Sequence, residues 1–212
     1  MKSPLAALIV MFDFSNVPED EFNDWYDTEH LAERLRVKGF IGGQRWLAAD
    51  RPRVSVVTYD VEHAGVLSSP DYMAVSGEGF SPWTKRINRK CRLLARYVAG
   101  QLSPGDRVAP EHAGGLLLLA LNVEPEAEPE FNRWNDTEHV PRLAAVPGVI
   151  AARRYRCIEG PHRYLALYHV AAPEVIDSPA WASACETPWT LEMRARTRDR
   201  LRVVCRRYHR TG

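Results

Sequence analysis

Residues 21–30 read EFNDWYDTEH and residues 130–139 read EFNRWNDTEH, differing only at Asp24/Arg133 and Tyr26/Asn135. The correspondence runs without a gap from the apolar residues 8–12, over 117–121, to the pairs Ser69-Pro70 and Ser178-Pro179. A match this long at one fixed spacing is the mark of a repeated structural unit. It implies a tandem duplication of a small domain, so the function is expected inside that unit.

The two strings are read outward in both directions. Each is preceded by an apolar run, residues 5–12 and 116–123, short and bounded by Pro and acidic residues as a buried strand would be. Pro18-Glu19-Asp20-Glu21 and Pro129-Glu130 then place proline and carboxylates in a helical first turn, where a missing N–H is harmless and the helix dipole favours negative charge. Phe22, Trp25 and Glu29, matched by Phe131, Trp134 and Glu138, recur at helical spacing, and the helices are expected to end near Gly39 and Gly148. Two strands follow in each copy, joined by Asp50-Arg51-Pro52 and Glu159-Gly160-Pro161. A second helical region opens after Ser69-Pro70 and Ser178-Pro179, and a last strand closes each copy.

The order is βαββαβ, the ferredoxin-like unit, so the fold class is α+β. Residues 1–100 form the first lobe, 101–113 a linker with two prolines and one glycine, and 114–212 the second lobe. A four-stranded sheet with helices on one face leaves the other bare. The two sheets are therefore expected to cover each other within one chain, as an intramolecular pseudo-twofold barrel.

Composition narrows the function. With 28 basic and 27 acidic residues the formal charge is +1, which gives no global field for nucleic acid or an anionic membrane. The arginines at 194, 196, 198, 200 and 202 suggest nucleic acid locally, but the chain carries no RNP-like aromatic motif and no zinc finger. The N-terminal LAALIVMF is too short to span a bilayer and reads as a strand. Cys91, Cys157, Cys185 and Cys205 form no CxxC pair and match nowhere between the copies, so a reducing, cytoplasmic setting is expected. The expected partner is a small molecule.

Chemistry is sought first in Asp27-Thr28-Glu29-His30 and Asp136-Thr137-Glu138-His139. On a regular helix, residues three apart share a face, so Asp27 and Asp136 are expected to orient His30 and His139 as general bases. Tyr26 lies four before His30 and is a proton donor; Asn135 replaces it and can only hydrogen-bond. On the strands, Arg45, Trp46 and Tyr59 with their counterparts Arg154, Tyr155 and Tyr168 are expected to line the same cavity, one arginine per lobe holding an anion. The plainer reading makes Asp and His a tether, Trp25 and Trp134 core, and Trp83 and Trp189 anchors of the second helical region. A metal on Glu29, His30 and Glu33 is disfavoured by Arg142 at the position matching Glu33.

The repeat and the string W-[YN]-D-T-E-H-[LV]-[AP] at residues 25–32 and 134–141 resemble the dimeric α/β-barrel superfamily, and within it the EthD-like group. The resemblance spans nearly the whole chain. It implies a pocket between sheet and helices, lined by His30 or His139, and the chemistry of cofactor-independent isomerases, cyclases, decarboxylases or monooxygenases. The expectation is a cofactor-independent enzyme working by acid-base chemistry on a small aromatic-derived or lactone-like organic acid, a homodimer of the fused barrel being a further expectation. Tyr26 and His30 favour the first lobe as the active one, and Pro141 is expected to kink the second. The alternatives are a non-catalytic ligand-binding or assembly protein, and a haem binder, for which no axial ligand stands out.

Overall fold

The computed structural model describes residues 4–210; the outer limits of the two expected lobes, 1 and 212, lie outside them. The first half contains β1 (Ala6–Asp13), α1 (Glu19–Trp25), a π-helical turn (Tyr26–His30), α2 (Leu31–Arg36), β2 (Phe40–Ala48), β3 (Val54–Val61), α3 (Pro70–Met73), α4 (Pro82–Lys90) and β4 (Arg92–Ser103). The second contains β5 (Gly115–Val123), α5 (Glu128–Trp134), a π-helical turn (Asn135–His139), α6 (Val140–Ala144), β6 (Val149–Glu159), β7 (Tyr164–Val170), α7 (Pro179–Cys185), α8 (Pro188–Ala195) and β8 (Thr197–Arg207). The last strand of the first half thus reaches into the expected linker. No helix of the described residues is long and apolar enough to cross a membrane.

All eight strands join one closed antiparallel barrel, in the order β1-β3-β2-β8-β5-β7-β6-β4. The halves do not merely lie face to face. Their edges pair, Trp46 opposite Arg207 on one seam and Gly100 opposite Arg156 on the other, which removes the open strand edges a four-stranded sheet would leave. The helices pack outside.

Strand alternation divides the side chains between two environments. Inside the barrel, Ile9, Trp46, Val56, Tyr97, Leu118, Tyr155 and Leu167 form one apolar cluster. Each such side chain contributes about 1.5–3 kcal/mol by leaving water. The odd and even neighbours face the helices instead: Val57 and Tyr59 under α1, Leu117 and Tyr168 under α7. One end of the interior is polar. There Arg153 Nη1 donates to Asp60 Oδ1 at 2.6 Å, Ala109 N donates to Asp60 Oδ2 at 2.6 Å, and Gln44 Nε2 donates to the Pro110 carbonyl at 2.9 Å. These bonds pin the connecting segment across the barrel mouth.

Gly39 and Gly148 follow α2 and α6 with φ of +95° and +90°, a conformation that resists a side chain. A Cβ there would also stand 2.5 Å from Val66 Cγ2 and 2.6 Å from Val175 Cγ2.

Candidate active site

The DTEH strings sit on the π-helical turns, not on regular helix. Thr28 Oγ1 donates to the Asp24 carbonyl at 2.6 Å and Thr137 Oγ1 to the Arg133 carbonyl at 2.8 Å, competing with the ordinary backbone bond. A π-turn closes its bonds five residues apart and so rotates residues three apart off a common face. This corrects the expected Asp-His pairing. Asp27 accepts from Arg45 Nη1 and, at 3.2 Å, from the Tyr208 hydroxyl, while Asp136 accepts from Arg154 Nη1 at 2.6 Å. The same turn occurs with and without Pro141, so the proline is not its cause.

The other polar members of the strings are also engaged. Ser81 Oγ donates to Glu29 Oε1, and Thr187 Oγ1 donates to Glu138 Oε1 at 2.6 Å, tying each helix end to the cap of α4 or α8. Only the histidines are left over: Nδ1 of His30 and of His139 is buried without a hydrogen-bond partner. Burial, then the charges of Arg34 and Arg45, pulls His30 down to about 3; burial, then Arg194 and Arg154, does the same to His139. Both rings are neutral at pH 7.

The surroundings of the two rings differ. His30 is packed between Trp25, at 4.6 Å, and the edge of Tyr26, at 5.1 Å. Tyr26 is fully buried, which raises its phenol to about 12, and its hydroxyl lies 3.4 Å from that of Tyr59, long for an O–H···O bond. It forms no hydrogen-bonded acid-base pair with His30. Arg34, 3% exposed, sits over the rings of Tyr72 and Phe80 at 5.5 and 5.6 Å.

In the second half the corresponding residues are Asn135 for Tyr26 and Leu143 for Arg34, the segment before Thr187 is three residues shorter than that before Ser81, and Glu186 precedes Thr187 where Phe80 precedes Ser81. These deletions of bulk leave a cavity of about 300 Å³ lined by Leu117, Phe131, Trp134, His139, Leu143 and Trp181, with Cys185, Arg194 and Arg200 among its other walls. An alcove of about 50 Å³ continues from it past Asn135, Arg154 and Tyr168. Trp134 stacks on His139 with centroids 4.2 Å apart, and its Nε1 is buried without a partner, whereas Trp25 Nε1 donates to Thr84 Oγ1 at 2.9 Å.

The strand residues divide accordingly. Arg154, Tyr168 and Asn135 reach the alcove. Trp46 and Tyr155 do not line the helix-side cavity; alternation turns them into the barrel core, with Trp46 Nε1 donating to Thr58 Oγ1 at 3.3 Å. Arg45 is occupied by Asp27 and Asn23 and lies under the Tyr208 ring at 3.9 Å, so it is not free to hold an anion. The sequence reading missed Leu143, Trp181, Arg194 and Arg200 as cavity residues; the signal for them lies in the positions where the two halves differ. Among the described residues no group of three or more His, Cys, Asp and Glu could hold a metal ion.

No protein-family model matches the chain, and no curated protein matches it. Solved structures do match. An anthrone oxidase-like protein is 10% identical with a TM-score of 0.66, over 97% of this chain and 95% of its own. A candidate monooxygenase from Fusobacterium nucleatum is 7% identical with a TM-score of 0.67, over 99% and 94%. A heme-binding protein from Thermus thermophilus is 10% identical with a TM-score of 0.62, over 98% and 92%. The shared fold is the dimeric α/β barrel.

Haem can be tested against the residues present. An axial histidine normally donates its second ring N–H to a carboxylate, carbonyl or water. The Nδ1 of His139 has no such acceptor. The cavity, at about 300 Å³, stands at the lower end of the roughly 300–1,000 Å³ typical of ligand pockets, and its walls would have to part for a porphyrin. His139 and the cavity around it do not fit a haem.

Proposed function

We propose that the chain is a cofactor-independent enzyme that performs general acid-base chemistry on a small aromatic-derived organic acid, in the cavity of its second half. In this reading the chain is a duplicated EthD-like unit whose first copy has become a scaffold. The observation that carries it is that His139 alone among the DTEH residues of the second copy has no hydrogen-bond partner for its side chain, and that its ring lines a mostly apolar cavity. This reverses the preference for the first lobe that Tyr26 suggested.

The chemistry follows from the neutral imidazole. It is ready to accept a proton at pH 7, but the imidazolium it becomes stands near Arg194 and Arg154 and is disfavoured. It is tolerated when the proton comes from a carbon acid whose anion remains beside it, because the ion pair adds no net charge. Trp134 and Phe131 position the ring of the substrate. General base catalysis supplies about 10²- to 10⁴-fold, and positioning the rest. Isomerisation, cyclisation, decarboxylation and oxygenation all proceed from such an anion. The names of the similar structures favour oxygenation, since an anthrone is an aromatic carbon acid whose anion reacts with dioxygen.

The test is exchange of carbon-bound hydrogen in D2O. A panel of aromatic carbon acids, anthrone included, is incubated with the protein and deuterium uptake followed by mass spectrometry. The expected result is uptake accelerated by the wild type and by His30→Ala, and lost in His139→Ala. Acceleration that survives His139→Ala, or none with any compound, contradicts the proposal.

A further inference from the structure

The cavity has two ends of opposite character. Its inner wall is Phe131, Trp134 and His139; at its mouth the end of α8 and the start of β8 bring Arg194 and Arg200. Neither arginine has a carboxylate partner among the described residues, while those around them do: Arg196 pairs with Glu124, Arg202 lies 4.0 Å from Asp177, and Arg154 lies 2.6 Å from Asp136. The two also act on each other, since partial burial and then the charge of Arg194 shift Arg200 downward. Like charges gathered at an apolar mouth without a counter-ion disfavour the empty state, and a bound anion relieves it.

The first half has no such pair. Asn88 and Leu94 occupy the matching positions. The β5–β8 ladder shifts register between Ala120 and Asn122, as the β1–β4 ladder does between the matching Met11 and Phe12, but only here does the residue beside it, Asp199, take a φ of +52°. A bulge of this kind re-aims a side chain out of the ladder. A guanidinium fork matches the two oxygens of a carboxylate.

The geometry points to Arg194 and Arg200 as a carboxylate clamp, so that the ligand is an arylcarboxylate with its ring against Trp134 and its carboxylate at the mouth. The orientation places the carbon remote from the carboxylate beside His139, a consequence that rests on the function proposed above; the clamp itself does not.

The experiment titrates the full chain with 2-naphthoate and with 2-naphthylmethanol, the same ring without the charge, by calorimetry. The acid is expected to bind at least tenfold more tightly. Arg194→Met and Arg200→Met, both on the half-buried or exposed surface and checked for fold by circular dichroism, are each expected to weaken the acid more than fivefold and leave the alcohol unchanged. Equal affinity of the two ligands, no binding of either, or a preference that survives the double substitution overturns the clamp. Acid selectivity that persists in His139→Ala and depends on both arginines supports it, even where no carbon acid exchanges; in that case the catalytic reading alone fails.

Discussion

Trp134 lies flat on His139, ring centroids 4.2 Å apart and 26° from parallel, while its counterpart Trp25 is tilted 34° from His30 at 4.6 Å. The stack covers one face of the imidazole and contributes to its burial, so His139 remains uncharged over the physiological range. The consequences of this arrangement and of the asymmetry between the halves can be measured.

Acid should unfold the protein through its histidines. His30 and His139 have folded values near 3 against an ordinary value of 6.5, so below 6.5 the unfolded chain binds protons that the folded chain refuses. Stability is complete above about 6.5 and falls as pH drops from there toward 3, by about 1.4 kcal/mol per unit for each histidine. Urea unfolding at pH 7, 6 and 5 checks this. His139→Phe should make the dependence shallower, and a slope as steep as in the wild type would count against a buried neutral ring.

Exchanging bulk between the halves should move the cavity. Asn135→Tyr restores the residue that closes the first half and is expected to abolish naphthoate binding with little change in melting temperature. Tyr26→Asn removes a fully buried ring and is expected to cost about 3 kcal/mol, in the range of large-to-small core substitutions. Binding and thermal melts of both variants decide it.

Asp27 is expected to matter for stability and not for turnover. Its partner Arg45 has a side chain only 3% exposed and Asp27 itself is 21% exposed, so removing Asp27 leaves a buried charge with Asn23 as its remaining acceptor, at a cost of roughly 3 kcal/mol. Asp136 is 57% exposed and Asn132 still accepts from Arg154, so Asp136→Ala should cost less than about 1 kcal/mol. Comparing the two by chemical denaturation separates a positioning tether from a catalytic carboxylate.

The barrel mouth offers a similar contrast. Asp60→Ala leaves Arg153 buried and unpaired and should cost about 3–5 kcal/mol, whereas Asp60→Leu with Arg153→Leu should recover most of the loss. Equilibrium unfolding of the single and double variants measures the difference.

The fold was largely legible because a repeated βαββαβ pattern leaves each sheet with a bare face, and closure follows from that. The site was less so. Identity between EFNDWYDTEH and EFNRWNDTEH drew attention to the residues that hold the helix ends, and Asp27, Thr28 and Glu29 proved to be engaged with Arg45, the Asp24 carbonyl and Ser81. What distinguishes the halves is where they differ, at Tyr26/Asn135, Arg34/Leu143 and Phe80/Glu186. The π-turn that separates Asp27 from His30 depends on a threonine hydroxyl competing for a carbonyl, a contest that helical spacing does not reveal.

The central claim, that the open cavity of the second half and not the filled space of the first receives the ligand, is tested most directly by a crystal structure of the protein soaked with 2-naphthoate. The account predicts the ring against Trp134 and His139, the carboxylate at Arg194 and Arg200, and no ligand beside His30. Naphthoate bound at His30, or seated elsewhere with the Trp134 cavity closed, would contradict it.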